Sequence, residues 1–184
     1  MRCKQGQIIG LLGIALSTIP LTAIADEEVD QTITFNVEEV SMLAMSGGDS
    51  VKLELINTDL SAGEDPRKSD SNDSTQLQYT VLTDDDNRNI TIEADGDLPP
   101  GFDITAGVSN IPGEGQCGTA QTGIDMTSKK TQTLISDVGT CWTGTGTGAQ
   151  VAYSISPTGG TNGVAELNAS DEYSMDVMYT LGED

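Results

Sequence analysis

Asp84-Asp85-Asp86-Asn87 puts four oxygen-bearing side chains in one short run, and Asp95-Gly96-Asp97 follows soon after. Several hard oxygens at one turn are what calcium coordination requires. The EF-hand loop needs Gly at its sixth position and Glu at its twelfth. Counted from Asp85, those positions hold Ile90 and Gly96; counted from Asp70, they hold Thr75 and Val81. The EF-hand is therefore excluded. Two readings remain for Asp84, Asp85, Asp86 and Asn87: an acidic hairpin turn, or a calcium site of another kind.

Other reactive chemistries are excluded by composition. The chain contains no histidine, which removes Ser-His-Asp and Cys-His arrangements and every His-bearing zinc site. No G-x-S-x-G or S-x-x-K motif is present. With 29 acidic residues, neighbouring carboxylates arise by chance and point to no particular acid–base pair. Glycosidase clefts use aromatic platforms, and one Trp, four Tyr and two Phe leave few to spare. The expectation is a protein that is not an enzyme. Gly144-Thr145-Gly146-Thr147-Gly148-Ala149 fits the bare G-x-G-x-x-A string, but the next segment, Val151 to Ile155, alternates like a strand. A pyrophosphate needs a helix N-terminus there, so this stretch reads as a Gly/Thr loop.

The first 25 residues read as a secretory signal peptide. Arg2 and Lys4 precede a short apolar run from Ile8 to Leu21, and Ala23-Ile24-Ala25 supplies a small-x-small cleavage site. The expected working protein is residues 26–184, one domain, secreted or held at the cell surface. No other apolar run suggests a membrane span. The eight basic residues fall to six when Arg2 and Lys4 leave, against 29 acidic ones. That field repels nucleic acid and anionic lipid and favours solubility, cations and basic partners.

Cys3 leaves with the signal, so Cys117 and Cys141 remain as a pair in an oxidising compartment, the expected disulfide. Trp142 follows at once. It reads either as a cover over the disulfide and the edge of the core, or as a binding anchor. Asn72, Asn89 and Asn168 each begin an N-x-Ser/Thr sequon, which in a glycosylating host marks surface.

The elements that must position these residues are strands. Apolar residues alternate with polar ones at Ile33-Phe35-Val37, Val51-Leu53-Leu55, Leu77-Tyr79-Val81, Ile90-Ile92, Phe102-Ile104-Ala106-Val108, Val151-Tyr153-Ile155 and Tyr173-Met175-Val177-Tyr179-Leu181. A period of two buries one face of an extended segment. The alternation slips by one between Val37 and Val40, marking a bulge or a break. Residues 57–75 carry Ser, Asp, Asn, Gly and almost nothing apolar, and read as a long, mobile or disordered polar loop. Glycines fall mostly between the alternating segments. The fold class that follows is all-β: a single antiparallel β-sandwich, Ig-like or jelly-roll-like, with one disulfide and no significant helix after the signal peptide.

This plan resembles small secreted β-sandwich subunits of the fimbrial or Ig-like kind. The residues carrying the resemblance are Thr32–Val37, the Cys117–Cys141 pair and the aromatic segment Tyr173–Leu181. The pair lies late in the chain and Trp142 lies outside its interval, unlike the antibody pattern. Some fimbrial subunits complete a neighbour's sheet with a free N-terminal strand. The resemblance implies the same use for Ile33, Phe35 and Val37.

The expected role is a secreted structural or adhesive protein, a subunit of a surface layer, filament or matrix. Its expected partners are itself or other extracellular components, with no cofactor. The alternative is an extracellular binding module for calcium or a polymer ligand.

Overall fold

The computed structural model describes residues 31–48, 50–84, 87–96, 98–158, 164–165, 167–168 and 171–183. The expected signal peptide lies outside them, as do Asp85 and Asp86. The chain divides into two units, Met1–Asn36 and Val37–Asp184. In the first, residues 31–36 adopt no regular structure, and Ile33 and Phe35 are exposed.

The second unit is built of antiparallel strands: β1 (Val40–Ser46), β2 (Asp70–Leu82), β3 (Arg88–Gly96), β4 (Phe102–Asn110), β5 (Glu114–Gly115), β6 (Thr119–Ala120), β7 (Ile124–Asp125), β8 (Gln132–Val138), β9 (Cys141–Trp142), β10 (Ala149–Pro157) and β11 (Met175–Glu183). One sheet runs in the order β5-β9-β2-β10-β4-β7, with β1 also on β2; the other runs β11-β3-β8-β6. The alternation read from sequence fixes the inward faces. Leu77, Tyr79 and Val81 of β2, Ile104, Ala106 and Val108 of β4, and Val151, Tyr153 and Ile155 of β10 are buried from one sheet. Ile90, Ile92 and Ala94 of β3, with Leu134, Ile135 and Val138 of β8, are buried from the other. Together they form one hydrophobic core. The all-β sandwich with a Cys117–Cys141 disulfide is the observed fold.

Three local expectations are corrected. Thr32–Val37 is not a strand here; the slip beyond Val37 is a break, and β1 begins only at Val40. Val51, Leu53 and Leu55 alternate, half-buried, yet form no strand; Ile56 opposite Arg67 makes the one isolated bridge among the described residues. The polar loop ends sooner than its composition implies, because β2 starts at Asp70. Asp70, Ser71, Asn72 and Thr75 pair with β10 across a register irregularity at 73–74, which ties their backbone into the ladder whatever their side chains.

The remaining loop is tied down. The Arg67 side chain is only 6% exposed. Its Nη1 donates to the carbonyls of Gly101 and Thr158, each at 3.2 Å, while Asp65 pairs with the same guanidinium at 2.8 Å. Lys68 N donates to Leu55 O, holding the loop's exit against its entry.

Candidate functional site

The acidic segment falls between β2 and β3, but the expected hairpin is corrected: the two strands belong to different sheets and do not pair, so the connection crosses from one sheet to the other. Asp84 and Asn87 are exposed. Asp85 and Asp86 lie outside the described residues, among which no three potential ligands come together as a metal group. The Gly/Thr loop leads into β10 as expected. Among the sequons, Asn89 is a correction: it is 8% exposed on β3, its Oδ1 accepting from Asp137 N, and does not mark surface. Strict alternation with Ile90 and Ile92 would turn it outward; its burial coincides with the register irregularity between Arg88 and Ile90 where β3 meets β8.

Short strands organise the disulfide. Gly113 has φ +130°, and a Cβ there would lie 2.3 Å from Trp142 O, so a side chain would force β5 off β9. β9 pairs through Trp142 with Thr80 of β2 on one side and Glu114 of β5 on the other. Cys141 points in (2% exposed) and bonds Cys117. Thr143 is also buried; its Oγ1 accepts from Tyr79 N at 3.0 Å. Flanked by two inward residues, Trp142 must point out. It is 54% exposed on the outer face of the larger sheet, which corrects the expectation that it roofs the disulfide. The Cys141 pairing was itself the signal: once that side chain is inward, the next residue of a strand is outward.

A second feature comes from strand order. β11 is the outer strand of its sheet, and its far edge pairs with no strand among the described residues. Its inward side chains, Met175, Val177, Tyr179 and Leu181, are therefore only half-buried. At one end Arg88 links the residue before β1 to β11, its guanidinium pairing with Glu39 and lying 3.5 Å from Glu183. Toward the other end the layers part into an open slot of about 490 Å³. Val51, Leu53, Tyr153, Met175, Val177 and Tyr179 line much of it.

Two hydroxyls meet in that slot, Tyr153 Oη hydrogen-bonding Tyr179 Oη. Burial pushes the Tyr153 phenol above its ordinary value, and burial, with the Tyr153 neighbour adding to it, raises Tyr179 as well. Tyr79, whose Oη donates to Cys117 O at 2.6 Å, is raised by burial as well. The slot offers apolar surface, two neutral hydroxyls and a strand edge.

Of the expected assembly strand, Ile33, Phe35 and Val37 are 67%, 85% and 74% exposed, and residues 31–39 join no strand. The structure thus brings Cys117 to Cys141 but leaves the assembly segment and the acidic turn without described partners. No protein-family model matches this chain, and no curated protein or solved structure matches it significantly.

Proposed function

We propose that the protein is an exported structural or adhesive subunit of a surface layer, filament or extracellular matrix, and that it self-associates by strand addition. One observation carries this reading: the chain holds two candidate halves of a strand pair, and neither is used among the described residues. The free edge of β11 borders the open slot, where Met175, Val177 and Tyr179 are half-buried. Ile33, Phe35 and Val37 form an exposed apolar rhythm of the same period. An unpaired edge is a template for another chain, and an added strand is held by its backbone bonds and by alternate side chains in pockets.

Charge supports the pairing. Thr32 to Val37 contains no charged residue in a chain of net charge −21. That segment therefore meets an acidic neighbour without like-charge repulsion.

Deleting residues 26–37 is expected to leave a folded protein that no longer assembles. Circular dichroism checks the fold; electron microscopy and sedimentation check assembly. Normal assemblies from the deleted chain would refute strand donation. A wild-type protein that stays monodisperse at every concentration would refute the structural role.

A further inference from the structure

On the outer face of the larger sheet, away from the slot, a second groove of about 410 Å³ runs between β1 and the segment after β9. Met42 (65% exposed) stands on one wall and Trp142 (54% exposed) on the other. Gln78 and Thr80 of β2 lie between them, with Thr145 at the rim. Backbone pairing places Met42, Thr80 and Trp142 in one row across three strands.

Three observations select an occupant. None of the residues lining the groove is charged, although the chain carries 29 acidic residues. A charged partner would find nothing there to pair with, and an anionic one would be repelled by the surroundings. Next, the lining alternates apolar walls with amide and hydroxyl groups, which suits a ligand with both an apolar face and many hydroxyls. Gln78 Nε2 already donates to Ser46 Oγ at 3.2 Å; a purely apolar chain would cover its amide oxygen and the Thr80 hydroxyl without offering either a partner. Finally, the backbone that carries Trp142 is held in advance of binding. β9 is bonded on both sides, Cys141 is in the disulfide, and Thr143 is buried and bonded to Tyr79. An aromatic anchor on a backbone fixed beforehand loses little freedom on binding.

We propose that this groove binds a neutral polysaccharide. The C–H face of a sugar ring lies flat on the Trp142 indole. Gln78, Thr80 and Thr145 hydrogen-bond its hydroxyls, and Met42 closes the opposite side. The volume falls within the ~300–1,000 Å³ of ordinary ligand sites. This proposal is independent of strand addition, which uses the β11 edge of the other sheet and the segment Thr32–Val37.

Trp142 is the only tryptophan in the chain, so its fluorescence reports on the groove directly. The test titrates the intact protein with laminarin, yeast mannan and dextran, with dextran sulfate as the anionic control. At least one neutral polymer is expected to quench or blue-shift the emission saturably and to retard the protein in affinity electrophoresis. The effect should be unchanged between low and high salt, because no charge takes part. Trp142→Ala, on an exposed side chain, should keep the strand-rich circular dichroism and lose retardation; Gln78→Ala should weaken it by about tenfold. Retardation by none of the three neutral polymers would overturn the proposal, as would undiminished retardation of Trp142→Ala. So would an emission shift that tracks protein concentration alone together with dimer in sedimentation, since the groove would then be a contact between copies.

Discussion

Single residues show how this chain avoids conflict in its core. Tyr79, Tyr153 and Tyr179 put phenols into a buried setting, where each hydroxyl has a partner. Their folded-state pKa values are raised, chiefly by burial. An unfolded tyrosine titrates near ~10. A raised group contributes stability that is complete below the unfolded value and is lost as pH rises toward the folded one. The sandwich is therefore expected to weaken above about pH 10, with tyrosinate absorbance rising steeply and together with loss of the strand signal. A smooth titration of all tyrosines near that value, with circular dichroism intact, would contradict the buried placement. Sequence alternation located these residues inward. It gave no sign that Tyr153 and Tyr179 would share one slot, because they come from opposite sheets.

Elements were legible where their rhythm was clean. β2, β4, β10 and β11 follow the alternation directly. β8 was hidden because Leu134 and Ile135 are adjacent and both buried, a pattern that a register shift against β3 permits. β1 was hidden because Met42, Leu43, Ala44 and Met45 run apolar without alternation, although only Leu43 of the four is half-buried. β5, β6, β7 and β9 span two residues each, too few for any period. Conversely, Val51-Leu53-Leu55 has the rhythm without the ladder. Its neighbour is the Arg67 loop, which the Arg67 guanidinium ties to the carbonyls of Gly101 and Thr158. Arg67→Ala is expected to release residues 57–69, seen as cleavage several-fold faster there in limited proteolysis with the sheets intact. Unchanged cleavage would mean the loop is held by the Leu55–Lys68 and Asn57–Pro66 backbone bonds instead.

The unit Val37–Asp184 is built on two sheets, with one covalent staple joining β9 of the larger sheet to the β5–β6 connection. Cys117 and Cys141 are 24 residues apart, and closing such a loop restricts the unfolded chain. In the chain-entropy account that contributes about 3 kcal/mol. Replacing both cysteines by serine is expected to lower unfolding stability by roughly that amount, read from denaturant midpoints at unchanged slope. An unchanged midpoint would show that β5 and β9 are held by their ladder alone.

The sequence by itself determined the layer-forming faces, the disulfide partners and the exclusion of histidine chemistry. Those depend on residue type and on a period of two, both local properties of the chain. Only the tertiary structure decided which edges stay open. It set β11 at the rim of its sheet, opened the slot beside Tyr179, and laid Met42, Thr80 and Trp142 in one row. Strand order and register arise from contacts between segments far apart in the chain, and no local pattern encodes which strand will lack a neighbour.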